Sequence, residues 1–132
     1  MLAKMKNDCD ILIIDDNDEM IELLLVYFSI KKKKAYGLTW SNDYIKDICD
    51  YNPHVILLDV IMPRINGFQL CTKIKESEQT RGIKVFLITA LPRTDVRPAV
   101  EKAGADGYIL KPFSLSDLDF VIEYCNNCGQ EK

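Results

Sequence analysis

The 132-residue chain lacks the features that would send it into a membrane, out of the cell or onto nucleic acid. No apolar run approaches the roughly 18 residues a membrane span needs. Met1 to Asp10 mixes Lys, Asn and Asp and holds no apolar stretch of the kind a secretory leader carries. Basic residues are not in excess: 17 Lys and Arg stand against 20 Asp and Glu, a net charge of −3. Direct binding of nucleic acid is therefore not expected, because phosphate binding leaves a basic footprint. The one basic cluster, Lys31 to Lys34, sits between two apolar segments and reads as a solvated loop or helix end. Histidine is scarce. His54 stands alone at the start of a strand and is not expected to donate a phosphoryl group or bind metal.

Five cysteines, at 9, 49, 71, 125 and 128, make no even framework. They read as reduced thiols of a cytoplasmic protein. Cys125 and Cys128 form a CxxC that closes the last helical pattern, whereas redox pairs favour a helix N-terminus. No second CxxC or nearby His completes a zinc site.

What the chain does hold is an alternation of short apolar runs with amphipathic stretches. Ile11 to Ile14, Val55 to Leu58, Val85 to Ile88 and Tyr108 to Leu110 are β-rich and continuous, as suits strands buried on both faces of a parallel sheet. A more polar fifth run, Ala35 to Trp40, fits a strand nearer an edge. Helices are expected over Asp18–Ile30 behind an Asn17 or Asp16 cap, over Asn42–Tyr51 and over Gly67–Lys75. A last helix, capped by Ser114, would bury Leu115, Leu118, Val121, Ile122 and Cys125. Pro98 lies inside the remaining span, Asp95 to Ala103, so that helix either starts late, near Arg97, or is distorted. Gly104 ends it.

Five βα units in succession predict a doubly wound parallel α/β domain with right-handed crossovers. One domain fills residues 1–132, with its core at about 8–128 and no effector domain. Met1 suits a stand-alone chain or the N-terminal part of a longer one. Ligands of such a fold collect at the carboxyl ends of the strands. There the sequence places Asp15 and Asp16 after strand one, Asp59 after strand three, Thr89 and Ala90 after strand four, and Lys111 after strand five. Clustered carboxylates repel one another unless a cation is present, and hard oxygen ligands select Mg²⁺ or a similar ion. A phosphoryl group in transfer spreads negative charge over three oxygens. Mg²⁺ could take one, Lys111 a second, and the Thr89 hydroxyl with the Ala90 backbone N–H a third, leaving Asp59 as nucleophile.

These residues, with Asp59 to Gly67, Leu87 to Ala90 and Ala103 to Phe113, resemble the receiver domain of two-component response regulators over nearly the whole chain. The resemblance implies a five-stranded sheet in order 2-1-3-4-5 and a phosphoacceptor at Asp59. It implies Mg²⁺ held by Asp15, Asp16, Asp59 and the Ile61 backbone carbonyl, and phosphoryl contacts from Thr89 and Lys111. It also implies a switch in which Tyr108 moves inward as Thr89 is drawn to the phosphoryl group, and a cis Lys111–Pro112 bond. The implied phosphodonor is a sensor histidine kinase or a histidine phosphotransfer protein.

Two positions that tune phosphoryl loss in that family are apolar here, Ile61 and Leu91, so slow self-dephosphorylation is expected. The face of helix four, strand five and helix five commonly carries output, either to a homodimer or to an effector protein. Phe120 and Tyr124 project from the last helix as candidate anchors for such a partner. Other classes fit less well. A haloacid-dehalogenase-like phosphatase wants a second Asp two residues after the nucleophile, where Ile61 stands. A flavin or nucleotide module wants a Gly- or Ser/Thr-rich loop where Asp15 to Asp18 stand. A receiver-like binding module not switched by phosphate would have no use for Asp59, Thr89 and Lys111 together.

Overall fold

The computed structural model describes residues 9–130, apart from the side chains of Arg93 and 127–130. Cys128, half of the CxxC, lies outside the described side chains, as do residues 1–8 at the N-terminus. Five parallel strands, β1 (Ile11–Ile14), β2 (Ala35–Leu38), β3 (Val55–Asp59), β4 (Lys84–Thr89) and β5 (Gly107–Leu110), stand in the order β2-β1-β3-β4-β5. The helices between and after them are α1 (Asp18–Ile30), α2 (Tyr44–Tyr51), α3 (Gly67–Glu76), α4 (Arg93–Ala103) and α5 (Asp119–Gln130).

Strand parity assigns the two faces. Ile11, Ile13, Val55, Leu57, Phe86, Ile88 and Ile109 pack with Leu24, Phe28, Leu118 and Val121 of α1 and the C-terminal segment. Leu12, Ile14, Ile56, Leu58, Val85 and Leu87 pack instead with Ile48, Leu70, Ile74, Val96 and Val100 of α2, α3 and α4. A strand covered by helices on both faces has no polar side to show, which is why these runs do not alternate.

Local chemistry sets the helix starts. The Asn17 side chain accepts the Met20 N–H at 3.1 Å, and that of Asn66 accepts the N–H groups of Phe68 and Gln69. The second helix begins at Tyr44 rather than Asn42, because the Asp43 side chain takes the Lys46 N–H and caps it there.

Three further expectations need correction. The fourth helix does not start late: it runs from Arg93, directly behind Pro92, through Pro98 to the left-handed Gly104 at φ 81°. The N–H that Pro98 lacks would have met the Thr94 carbonyl, and both residues are exposed, so water can serve that oxygen. Strand two ends at Leu38, leaving Trp40 in the following loop. Leu115 does not join the buried stripe of the last helix. It opens a 3-10 turn, Leu115–Leu118, and is 44% exposed, so the stripe begins at Leu118.

Candidate phosphoryl and metal site

The carboxyl edge of the sheet gathers the side chains that the strand-end rule singles out. Asp15, Asp16 and Asp59 each turn a carboxylate oxygen into a cluster whose atoms lie within 4.8 Å of one another. Asp15 and Asp59 are 2% and 6% exposed, whereas Asp16 is open to solvent. The Lys111 ammonium lies 3.7 Å from Asp59 Oδ1. Backbone hydrogen bonds fix the frame: Asn17 N–H donates to Asp15 Oδ1 at 2.9 Å, and Ile61 N–H to Asp59 Oδ1 at 3.4 Å. Lys111 N–H donates to the Thr89 carbonyl at 2.8 Å, tying β5 to β4 at the site. The peptide bond from Lys111 to Pro112 is cis.

Gly67 is what lets the loop after β3 fold back on this frame. A Cβ there would sit 2.5 Å from both the Asp59 carbonyl oxygen and the Val60 Cα, and neither backbone atom can yield. The Gly67 N–H instead donates to the Val60 carbonyl at 2.8 Å.

The site holds more negative charge than its own residues balance. Burial first, then the negative charge of Asp15, pushes the Asp59 carboxyl up to about 6, against the pull of Lys111. Burial likewise raises Asp15, opposed by the Asn17 N–H and by Lys111. Closely spaced hard oxygen donors in this state are what a small divalent cation such as Mg²⁺ requires. The donor set fits that ion.

Thr89 is fully buried at the end of β4, next to Ile88, the register partner of Asp59. Its Oγ1 accepts the Leu91 N–H at 3.1 Å, which leaves the hydroxyl proton available. Ala90 is exposed beside it. Tyr108 is half-buried on the face of Leu87 and Leu110, the face to which Thr89 also belongs by alternation. Ile61, 59% exposed, and Leu91 line one shallow hollow beside the site. His54 lies at the other end of β3, its Nδ1 3.8 Å from Asp10 Oδ1.

The fold has close counterparts among known proteins. The profile of the response regulator receiver domain matches residues 11–123. The chain belongs to the response regulator receiver family. The receiver is 35% identical over 118 residues to the transcriptional regulatory protein SrrA of Staphylococcus aureus, covering 83% of this chain and 44% of that protein. It is 30% identical over 111 residues to RpaA of Synechocystis, a DNA-binding dual master transcriptional regulator, covering 82% and 45%. The receiver thus spans under half the length of these curated relatives. In structure it is similar to the receiver domain of a DNA-binding response regulator from Colwellia psychrerythraea, with a TM-score of 0.82, 25% identity and coverage of 91% and 99%. Similarity to the chemotaxis protein CheY4 of Vibrio cholerae, with a TM-score of 0.78 at 17% identity over 87% and 96% of the two chains, shows the shared fold.

Sequence reasoning overlooked one part of the receiver's edge. Trp40, Tyr44 and Arg64, from the segments after β2 and β3, wall a hollow that Asp16 also lines. The strand-end rule could have flagged Trp40, had β2 been ended at Leu38. Phe120 and Tyr124, expected to project freely, lean edge-on against the buried Phe86 ring at 5.2 and 5.0 Å between centroids. About a third of each stays exposed. Among the described residues no helix is long and apolar enough to cross a membrane.

Proposed function

We propose that this domain accepts a phosphoryl group on Asp59 from a phosphohistidine of a sensor histidine kinase or histidine phosphotransfer protein. The observation that carries this reading is the meeting of Asp15, Asp16 and Asp59 within 4.8 Å, with Lys111 3.7 Å from Asp59. Asp15, Asp16, Asp59 and the Ile61 carbonyl would hold Mg²⁺, which when bound offsets charge on the phosphoryl oxygens. An Asp59 carboxylate oxygen forms a bond to phosphorus as the bond to the donor nitrogen breaks. Lys111 stands ready to pair with a second phosphoryl oxygen, and the free Thr89 hydroxyl proton and the Ala90 N–H with a third. Drawing Thr89 towards the site vacates space on the face it shares with Tyr108, whose ring can follow. Output would then leave through the α4–β5–α5 face, to a second copy or an effector protein, with Phe120 and Tyr124 at its margin. The net charge of −3 supports placing any nucleic-acid contact outside residues 1–132, which we read as one domain.

Ile61 and Leu91 offer no group to orient an attacking water, which supports slow loss of the phosphoryl group. The test of the whole reading is incorporation of phosphate from a small-molecule phosphodonor. Wild type should be labelled with Mg²⁺ and not in the presence of a chelator, and Asp59→Ala should not be labelled. Equal labelling of Asp59→Ala would overturn the proposal.

A further inference from the structure

The hollow walled by Trp40, Tyr44 and Arg64 has a place in the topology and a chemistry of its own. In a doubly wound sheet the ligand crevice opens outside the carboxyl ends of the strands, where the connections diverge to opposite faces. With the order β2-β1-β3-β4-β5 that point lies between β1 and β3. The hollow sits there: Asp16 follows β1, Thr39, Trp40 and Tyr44 follow β2, and Met62, Pro63, Arg64 and Ile65 follow β3. Its volume is about 360 Å³, within the range of about 300–1,000 Å³ typical of small-ligand sites. Trp40 is 48% exposed, with the Arg64 guanidinium 5.4 Å from its ring centroid. The walls are therefore a half-exposed indole with the guanidinium over its face, the Tyr44 ring, thioether and proline-ring carbons, and the Asp16 carboxylate assigned above to the metal. That combination suits a flat aromatic group bearing a negative charge.

Asp16 joins this hollow to the phosphoryl site, because its carboxylate also belongs to the cluster with Asp59. A molecule with its phosphoryl group at Asp59 thus has an aromatic-walled space across the shared Asp16 carboxylate.

We propose that the hollow recognises the aromatic part of a small acyl phosphodonor of the aroyl phosphate class. This deepens, and rests on, the reading of Asp59 as phosphoacceptor. In the step itself an Asp59 oxygen forms the new bond to phosphorus while the bond from phosphorus to the aroyl carboxylate oxygen breaks. The electron pair leaves with the aroyl carboxylate, no proton moves, and Arg64, in the wall of the hollow, can pair with the departing anion. A donor with only a methyl group behind its carbonyl has nothing to lay against Trp40.

The experiment follows labelling of the purified chain, with Mg²⁺, by benzoyl phosphate and by acetyl phosphate at equal subsaturating concentrations. The ratio of the two rates is divided by the ratio of the donors' rates of phosphoryl transfer to pyridine, which attacks phosphorus, and this removes their intrinsic difference. Wild type should show an excess of about fivefold for the aroyl donor, the scale of one aromatic contact. Trp40→Ala should bring the corrected ratio to about one, Arg64→Ala should lower it, and Trp40→Phe should keep most of it. Both positions are exposed, so these variants fold. A wild-type ratio of one, or an excess that survives Trp40→Ala, overturns the inference. Failure of both donors to label wild type overturns the phosphoacceptor reading, and the inference with it.

Discussion

Asp59 carries a cost that the rest of the chain absorbs. Its carboxyl is held up at about 6 by burial and by Asp15, against an ordinary value of 3.8. In the metal-free protein the native state therefore binds more protons than the unfolded chain between about pH 4 and 6. The contribution of this group to stability is complete below pH 4 and is lost as the pH rises through 6. At pH 7, without divalent cation, Asp59→Asn should be more stable than wild type by on the order of 1–2 kcal/mol. The gap should shrink towards pH 4, as read by urea unfolding in the presence of a chelator. A constant gap across that range would count against the assignment. Neighbouring Ile61 and Leu91 govern a different property. Replacing them together by Asn and Glu places polar groups in their shared hollow, which could orient water towards a phosphoryl group on Asp59. The half-life of the phosphorylated chain should fall about tenfold, equivalent to ~1.4 kcal/mol of barrier, while its labelling still requires Asp59.

At the scale of elements, α4 and the loop after β3 make opposite demands. Pro98 stands in the interior of α4 and withholds a hydrogen bond from the Thr94 carbonyl. Pro98→Ala should restore it and raise stability by about 1–2 kcal/mol, less than the full ~3 kcal/mol helix penalty because proline also restrains the unfolded chain. Thermal melts at fixed Mg²⁺ measure this. Gly67→Ala should do the reverse, costing about 1–3 kcal/mol, since the new methyl meets unyielding backbone. It should also weaken Mg²⁺ binding in a calorimetric titration, because the displaced loop carries the Ile61 carbonyl. The same elements show how far the sequence could be read. Continuous β-rich runs such as Val55 to Leu58 suit strands buried on both faces, so the sheet and its strand-end cluster were legible, while the strand order came with the resemblance to receiver domains. What escaped was tertiary. Water can rescue an exposed Thr94 carbonyl, so Pro98 need not delay a helix. A 3-10 turn rotates Leu115 out of its stripe. The Trp40–Arg64 contact joins segments more than twenty residues apart, with no local periodicity to announce it.

For the whole molecule, the acidic cluster links metal to stability. A cation that binds only the folded chain raises its stability by about 2.7 kcal/mol at a hundred times its Kd. The melting temperature should climb with Mg²⁺ concentration and stay flat in Asp16→Ala. A flat response in wild type would argue against the metal site. Strand parity has a further consequence for the molecule as a unit. Asp59 continues the row of Val55 and Leu57, which faces α1 and α5, whereas Thr89 and Tyr108 lie in the rows of Val85, Leu87 and Leu110, which face α3 and α4. Asp59 and Thr89 thus reach one carboxyl edge from opposite faces of the sheet, so a phosphoryl group that engages both would pull on both layers at once. Substitutions in the α3–α4 layer away from that edge, as at Val85 or Leu87, should blunt transmission while leaving acquisition on Asp59 in place.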